Sequence, residues 1–358
     1  MLQKKMNAKN KSLGICAFPN SEEIETAYGL KKVIAEFRNY LIGNNLEHNF
    51  YEKGFFKSSL FELKAYIKSL SYIRELNNRN DHSYFAVNPV AGIYPVILRK
   101  KPLITAIHDM LPFEISGYES KVKFSIKRKL FEYCCLYSDR IIVPFNSTKM
   151  KIIELFNIDK TKIVTIPYGV NHEQYYPNNN IKKIRNSVAY LGAADSAKGM
   201  DSLIEAFQYV KREIEDAKLI LASTGKEINF MTKLASDILP HGSYEFLGFV
   251  PESDMNRFYN SAHIFVFPSR YGFGLSALEA MACGTPAISG AVFDSKDFID
   301  DDELLTNPYD PKDIAQKIVC LMKDRKKYEQ KKIQCISIAS KYSWSKMAKA
   351  YYNTCIDI

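Results

Sequence analysis

Short apolar runs alternate with amphipathic helical stretches along almost the whole sequence, and the alternation restarts after a polar break. Such alternation indicates a mostly parallel sheet with helices on both faces. The break, residues 172–186, contains Pro177 and three consecutive asparagines and has no clear period, which is typical of a linker. A chain of 358 residues is too long for one ordinary core and suits two domains. We therefore predict an α/β protein with two doubly wound parallel sheets.

The apolar periodicity gives the expected elements. In the first half, the predicted strands are 12–18, 83–88, 102–109, 139–145 and 162–170, and the predicted helices are 25–43, 62–76, 120–137 and 147–157. In the second half, the predicted strands are 187–192, 218–223, 244–250, 263–268, 286–289 and 303–307, and the predicted helices are 199–214, 227–239, 252–262, 274–284 and 311–324. Two similar sheets in tandem place a ligand where the carboxyl ends of their strands face a central cleft.

Positive charge is concentrated in the first half of the chain. Residues 1–180 carry 26 Lys and Arg against 17 Asp and Glu, whereas residues 181–358 carry 23 of each. This asymmetry indicates a surface that faces phosphate, anionic lipid or nucleic acid, or else a merely solvated basic surface. Five basic residues lie on the predicted helix 120–137, namely Lys121, Lys123, Lys127, Arg128 and Lys129. We expect peripheral binding to an anionic membrane surface, and no nucleic-acid binding because no recognised motif accompanies the charge.

The composition places the protein among globular chains, with 46% hydrophobic and 25% charged residues. No run of 18 apolar residues occurs, and the apolar run near the start is too short for a signal peptide. The seven cysteines form no CxxC motif and no zinc-like spacing with histidine. We therefore expect a cytoplasmic protein, peripheral at most to the membrane, with buried thiols and no bound metal.

The segment YLGAADSAKGMDSLIEAF passes from a predicted strand through a small-residue loop into a helix. Small residues let a ligand approach the backbone, the helix offers unpaired N–H groups, and Lys198 adds a positive charge. This combination suits a diphosphate. Because the segment matches neither GxGxxG nor a P-loop, a structural turn with a surface lysine is the alternative.

The segment FPSRYGFGLSALEAMACGTP gives a second candidate loop. Gly272 and Gly274 flank Phe273 directly before a predicted helix, so backbone amides could meet an anion. Glu279 lies early on that helix among small and apolar residues, where a carboxylate requires a partner such as the vicinal hydroxyls of a ligand. The alternative is a carboxylate stabilised by the helix dipole.

One histidine also stands at the end of a predicted strand. His108, followed by Asp109, comes directly after LITAI. Its position at the mouth of the expected cleft favours a functional role, with a structural hydrogen-bonding role as the alternative.

These segments together resemble the retaining glycosyltransferases of family 4. The resemblance covers most of residues 85–355, and GFGLSALEAMACGTPAIS, which is similar to the family's donor-binding helix, is its most specific part. It implies the GT-B fold, with an acceptor-binding domain at 1–175, a nucleotide-sugar-binding domain at 183–340, and a C-terminal helix, 341–358, that returns to the first domain.

The resemblance also implies the roles of individual residues. The donor is expected to be a nucleotide sugar, bound as a substrate and without a cofactor. Lys198 would contact the diphosphate, Glu279 the ribose hydroxyls and His108 the transferred sugar, and His108 and Lys198 are the expected catalytic residues. The other expected donor-binding residues are Gly29, Val250, Arg270, Tyr271, Phe273, Gly274 and Leu275.

The sequence departs from the family pattern at two positions. The family usually has Arg at the position of Ala193 and Glu at the position of Tyr271. The first change removes a positive charge expected to face the diphosphate, and the second removes a carboxylate expected to face the donor sugar. We predict a glycosyltransferase that moves a sugar, expected to be a hexose, to a glycan or lipid-linked acceptor. The alternative is a non-catalytic subunit that supports a partner transferase.

Overall fold

The computed structural model describes residues 11–16, 28–51, 73–110, 113, 120–272 and 274–358, with the backbone alone at 28–30 and 293. The chain forms two compact units. The first combines Met1–Gly169 with Trp344–Ile358, and the second is Val170–Ser343. The chain therefore passes from one unit to the other twice.

The first unit contains a parallel sheet of six strands in the order β2-β1-β3-β4-β5-β6. Its strands are β1 (Leu13–Cys16), β2 (His48–Tyr51), β3 (Ser83–Ala86), β4 (Leu103–Ala106), β5 (Arg140–Val143) and β6 (Ile163–Thr165). Its helices are α1 (Tyr28–Gly43), α2 (Ile93–Ile97), α3 (Lys121–Tyr137) and α4 (Asn146–Phe156), together with α12 (Trp344–Ile356) from the end of the chain.

The second unit contains another parallel sheet of six strands, in the order β12-β11-β10-β7-β8-β9. Its strands are β7 (Ser187–Ala193), β8 (Lys218–Thr224), β9 (Tyr244–Phe246), β10 (Ile264–Phe267), β11 (Ala287–Gly290) and β12 (Leu305–Thr306). Its helices are α5 (Met200–Glu213), α6 (Ile228–Ile238), α7 (Glu252–Ser261), α8 (Leu275–Ala282), α9 (Phe293–Lys296), α10 (Pro311–Lys323) and α11 (Arg325–Ser340).

Both sheets are doubly wound. In the second unit the chain builds outward from β7 through β8 and β9, then returns to the other side of β7 with β10. In the first unit the direction changes between β1 and β3. Ligands in such sheets bind beyond the carboxyl ends of the strands at the position where the winding reverses. The predicted fold class is therefore confirmed, and each sheet has one such switch point.

The central strands are buried on both faces, as their nearly continuous apolar sequences predict. Residues of β10, for example, are all buried, and so are those of β4 and β11. The helices bury one stripe each: in α5 this stripe includes Leu203, Ile204, Phe207 and Val210. Burial of these side chains positions the strand ends that carry the candidate site.

The last helix of the chain, α12, completes the core of the first unit. The ring of Tyr351 lies 5.8 Å from that of Phe37 on α1 and 5.7 Å from that of Phe85 on β3, both in edge-on geometry. Trp344, at the start of α12, is buried and its ring lies 6.2 Å from that of Tyr168. Residues distant in sequence thus share one core.

Four of the described elements were not predicted from the sequence, namely the strand β2 and the helices α2, α9 and α11. The helices α2 and α9 have only five and four residues, which is too short for a helical apolar period to appear. In β2 the first two residues are polar and half-buried, so its sequence lacks an apolar run. In α11 the buried face includes Lys331, whose ammonium group pairs with the carboxylates of Asp301 and Glu303. The predicted strand 12–18 and helices 25–43 and 62–76 extend partly outside the described residues.

All seven cysteines are free, and all but Cys320 are buried. Burial raises the pKa of the Cys134 and Cys335 thiols to about 12, which keeps them protonated near neutral pH. Within the described ranges, no helix is both long enough and apolar enough to cross a bilayer.

Candidate functional site

The switch point of the second sheet lies between β7 and β10, and both predicted ligand loops start there. Val188 of β7 pairs with Ile264 of β10 in parallel, so the carboxyl ends of the two strands are neighbours. The first loop, residues 194–199, follows β7 and leads into α5. The second loop, residues 268–274, follows β10 and leads into α8. The fold thus brings together two segments that are about 70 residues apart in sequence.

Hydrogen bonds to the carboxylates of Asp195 and Glu227 stabilise the conformation of the first loop. The carboxylate of Asp195 accepts a hydrogen bond from the Ala197 N–H at 2.7 Å. The carboxylate of Glu227, at the start of α6, accepts from the Ser196 N–H at 2.9 Å and from the Ser196 hydroxyl at 2.7 Å. Glycine is required at the end of this loop. Gly199 has a φ of 72°, and a Cβ there would lie 1.9 Å from the Pro268 carbonyl oxygen.

The side chain of Lys198 reaches the second loop. A Cβ placed on Gly272 would lie 3.7 Å from the Lys198 ammonium nitrogen, so this positive charge stands beside the Gly272 backbone. Gly272 and Gly274 have φ values of 83° and 63°, a region that favours glycine. A Cβ on Gly274 would come within 2.9 Å of the Phe267 ring. The helix α8 therefore begins directly after a loop whose backbone lies close to the ammonium group of Lys198.

Arg270 joins the two loops. Its N–H donates to the Ala197 carbonyl at 3.0 Å, and its Nη1 donates to the Ser196 carbonyl at 2.6 Å. Its Nη2 donates to the Asp201 carboxylate at 2.9 Å and to the Ser202 hydroxyl at 2.7 Å. The guanidinium group is thus engaged by the loop and by the first turn of α5. This arrangement gives Arg270 a positioning role, and its expected contact with the donor stays a prediction.

Glu279 is buried on α8 with an exposed fraction of 6%. Its carboxylate accepts a hydrogen bond from the Tyr259 hydroxyl at 2.8 Å. Burial and the neighbouring carboxylate raise the pKa of Tyr259 well above its usual value, so the phenol remains a donor. The carboxylate therefore has a protein partner that fixes its orientation. The sequence did not reveal Tyr259, which lies on the preceding helix, α7.

Two of the remaining predicted donor-binding residues of this unit, Tyr271 and Leu275, lie in the second loop and directly after it. Tyr271 is half-buried, and its backbone N–H donates to the Ser269 hydroxyl at 3.3 Å. Leu275 is the first residue of α8 and is half-buried. Val250 is half-buried in the segment before α7, and Phe273 lies outside the described residues. Ala193, the position where the resemblance leads one to expect Arg, is exposed at the end of β7.

In the first unit, His108 follows β4 and uses both ring nitrogens. Nε2 lies 2.7 Å from the Val87 carbonyl oxygen and donates to it, and Nδ1 lies 2.7 Å from the Tyr168 hydroxyl and accepts from it. One neutral tautomer satisfies both bonds. Burial lowers the pKa of His108, against the opposing effects of the Val87 carbonyl and Asp109, which favours this neutral form. A catalytic role would require the ring to exchange one of these partners, and that role stays a prediction.

Val87 directly follows β3, the strand beside the switch point of the first sheet. The hydrogen bond from His108 therefore holds the imidazole at the carboxyl edge where a ligand of this sheet would bind. Gly29 lies in the first turn of α1. The residues between β1 and α1 lie outside the described part, so its expected approach to phosphate stays a prediction.

Solved structures show the same fold. Anabaena HepE (Alr3699), solved with UDP and glucose, superposes with a TM-score of 0.77 at 14% identity over 98% of this chain and 100% of that one. Sucrose-phosphate synthase of Thermosynechococcus elongatus superposes with a TM-score of 0.76 at 16% identity over 96% and 97%. The two doubly wound sheets therefore have the GT-B fold.

Sequence similarity identifies the family of this chain. The model described as glycosyl transferases group 1 matches residues 171–334, and that described as glycosyltransferase family 4 matches residues 46–174. O-antigen chain mannosyltransferase B of Escherichia coli is 26% identical over 69% of this chain and 68% of its own length. Mannosylfructose-phosphate synthase of Agrobacterium fabrum is 27% identical over 54% of this chain and 48% of its own length. The chain belongs to the group 1, family 4 glycosyltransferases.

Some related proteins are much longer. The serotype-specific mannosyltransferase WbdA of Escherichia coli is 25% identical over 59% of this chain, and the match spans 28% of WbdA. Membership of this family supports sugar transfer as the activity, whereas the donor, the acceptor and the stereochemistry require separate arguments.

Proposed function

We propose that the chain transfers a hexose from a nucleoside-diphosphate sugar to a glycan or lipid-linked acceptor, with retention of the anomeric configuration. The names of its relatives support a hexose, since they include mannosyltransferases and a sucrose-phosphate synthase. The structural neighbour HepE was solved with UDP-glucose, which supports a nucleotide sugar as the donor. Retention is carried over from the resemblance to family 4.

The contact between Lys198 and the second loop carries this proposal. The Lys198 ammonium group stands beside Gly272, at the switch point of the sheet and next to the amino terminus of α8. A lysine and a helix amino terminus together favour an anion at this position. The diphosphate of the donor has the charge that fits.

The same arrangement supports the transfer step. When the bond between the sugar and the diphosphate breaks, negative charge develops on the departing phosphate oxygen. A fixed ammonium group and fixed backbone N–H donors stabilise that charge without reorganising. Glu279 would accept hydrogen bonds from the ribose hydroxyls, with Tyr259 holding the carboxylate in place. Arg270 would keep the first loop in the conformation that presents Lys198.

The two departures from the family pattern bear on the donor. Ala193 contributes no charge, so Lys198 would have a larger share of the interaction with the diphosphate. Tyr271 presents a phenol where a carboxylate is usual, and a phenol can stack on a sugar or hydrogen-bond to it. This combination supports a donor whose sugar does not depend on a carboxylate at that position. The relatives do not favour the alternative of a non-catalytic subunit.

Donor hydrolysis and sugar transfer test the proposal directly. Purified protein would be incubated with UDP- and GDP-hexoses, with and without glycan and polyprenyl-phosphate-linked acceptors, and the release of nucleoside diphosphate measured. The Lys198→Ala variant should lower the turnover of the accepted donor by about 100-fold or more. Lys218→Ala is the matched control. Lys218 is an exposed lysine at the amino end of β8, whereas the candidate site lies at the carboxyl ends of the strands.

Two outcomes would contradict the proposal. If the Lys198→Ala variant turns over the donor as fast as the wild type does, Lys198 does not belong to the donor site. Binding of a nucleoside diphosphate without any turnover of its sugars would instead support the non-catalytic alternative. Retention is tested by NMR of the first-formed product, because an inverted anomer would exclude it.

A further inference from the structure

One face of α3 exposes large apolar side chains to solvent. Val122 is 70% exposed, Ile126 and Tyr133 are each 64% exposed, and Leu136 is 52% exposed. At about 100° per residue, these four positions fall within about 80° of one another around the helix axis. They form a continuous stripe, here called the apolar stripe, along the whole length of α3.

The opposite face of α3 attaches the helix to the first unit. Phe131 and Cys135 are buried in a core cluster with Ile107, Ile141 and Val143. The ring of Phe113 packs edge-on against Phe131 at 5.1 Å. One face of α3 therefore packs in the core of the first unit, and the apolar stripe takes no part in that packing. A group of exposed apolar side chains on one face indicates a binding surface.

Basic residues border the apolar stripe on both sides. Around the helix axis, Lys121 and Arg128 lie on one side of it, Lys123 and Lys127 lie on the other, and Lys129 lies within it. All of these except Lys127 are exposed, and Lys127 is half-buried. The helix contains one acidic residue, Glu132. An apolar stripe with basic flanks is the pattern of a helix that lies in the interface of an anionic membrane.

The positive charge of α3 favours a membrane over a second copy of the chain as the partner of the apolar stripe. A symmetric dimer built on this face would bring five basic residues of one helix against the same five of another. Their repulsion disfavours such a dimer, whereas a bilayer surface with anionic headgroups neutralises them. The acyl chains of the same bilayer can contact the apolar stripe. A membrane therefore fits both the basic residues and the apolar side chains of α3.

We propose that α3 is a membrane-docking helix. It lies parallel to an anionic phospholipid bilayer, with Val122, Ile126, Tyr133 and Leu136 inserted below the headgroups and the flanking lysines and arginine contacting lipid phosphates. The proposal goes beyond the transferase activity and does not depend on donor binding. It identifies the first unit as the part of the enzyme that would meet a lipid-linked acceptor.

The apolar stripe is tested first by vesicle sedimentation of the full-length protein. Phosphatidylcholine vesicles, with and without phosphatidylglycerol, would be compared at low and at physiological salt. The wild type should bind the anionic vesicles preferentially. The double substitution Val122→Ser/Ile126→Ser should weaken that binding by about ten-fold or more, since each side chain loses an apolar contact. Ile333→Ser is the matched control, because Ile333 is 69% exposed on α11 in the second unit.

Fluorescence separates insertion from simple electrostatic adsorption. The chain has one tryptophan, Trp344, which is buried and gives a constant background. In Ile126→Trp, the new emission should shift to shorter wavelength on anionic vesicles and be quenched by brominated lipids. In Ile333→Trp the new emission should neither shift nor be quenched. An unshifted emission at 126, with the protein bound, would overturn insertion.

Three further results would overturn the proposal. They are absence of vesicle binding by the wild type, equal binding by the Val122→Ser/Ile126→Ser variant, and a change from dimer to monomer caused by that variant. The last would assign the apolar stripe to self-association. Binding of a nucleoside diphosphate, measured on the same variants, should be unchanged. Loss of membrane binding is thereby distinguished from failure of the transferase assignment.

Discussion

The α-carbon of Gly199 stands so close to Pro268 that a Cβ there would lie 1.9 Å from the proline carbonyl oxygen. Gly199 closes the loop that follows β7, and Pro268 opens the loop that follows β10. This backbone contact fixes how near the two ligand loops come to each other. The position of Lys198, one residue before Gly199, depends on it.

Replacement of this glycine should therefore be costly. Gly199→Ala should lower the free energy of unfolding by about 3 kcal/mol or more, because it adds a backbone clash to the strain of a positive φ. Gly242→Ala is the matched control. Gly242 has a φ of 79°, but an added Cβ would meet no atom within 4 Å, so a loss of about 1–2 kcal/mol is expected. Urea denaturation of both variants measures the difference, and equal losses would show that the contact with Pro268 is relaxed in solution.

The pair formed by Glu279 and Tyr259 should control nucleotide affinity. Glu279→Ala should weaken the binding of a nucleoside diphosphate by about 1–3 kcal/mol, the usual effect of removing a charged hydrogen-bond partner. Tyr259→Phe keeps the carboxylate but removes the donor that orients it, so a smaller loss of about 1 kcal/mol is expected. Isothermal titration calorimetry gives both values. Wild-type affinity in Glu279→Ala would remove Glu279 from the binding site.

Tyr271 should decide how much the sugar contributes to donor binding. We expect one nucleotide sugar to bind several-fold more tightly than its free nucleoside diphosphate, and Tyr271→Ala to abolish that difference without unfolding the protein. Tyr271→Phe separates the two possible contacts, because it keeps the ring and removes the hydroxyl. If Tyr271→Ala retains the full preference for the sugar, the phenol does not contact it.

Two half-buried histidines, His108 and His263, should make the free energy of unfolding depend on pH. Burial lowers the pKa of His108, and burial together with Lys183 and Arg185 lowers the pKa of His263. In the unfolded chain both rings take up a proton near pH 6.5. The unfolded state therefore binds more protons below that pH, and the free energy of unfolding should fall as the pH decreases.

The contribution of each ring can be measured separately. His108→Gln and His263→Gln should each reduce the slope of stability against pH below about 6.5, by up to about 1.4 kcal/mol per pH unit. Denaturant unfolding at a series of pH values gives the slopes. A slope identical to that of the wild type would show that the replaced ring is already protonated in the folded state or is titrated outside this range.

Much of the fold follows from local pattern, because strands such as β8 and β10 are continuous apolar runs that end in polar loops. The exceptions have physical causes. In α11, Lys331 occupies a buried position because Asp301 and Glu303 neutralise it, and this interrupts the apolar period. In β2, His48 and Asn49 replace the apolar residues that a strand prediction requires.

The candidate site shows a similar division. Glycines, Lys198 and Glu279 can be found from sequence because their spacing relative to a strand and a helix is local. The engagement of Arg270 with Asp201 and the hydrogen bond from Tyr259 to Glu279 cannot, because each joins segments that only tertiary structure brings together. Arg270, which is expected to contact the donor, also holds the loop that carries Lys198.

The packing of α12 on α1 and β3 has a consequence for biosynthesis. A ribosome completes the six strands of the first unit long before it makes Tyr351, whose ring fills the space beside Phe37 and Phe85. During translation of the entire second unit, the nascent first unit therefore lacks part of its interior and exposes apolar side chains. Synthesis of α12, rather than of the six strands, is then the event that completes the folding of the first unit, and premature termination after the second sheet should yield an aggregation-prone product.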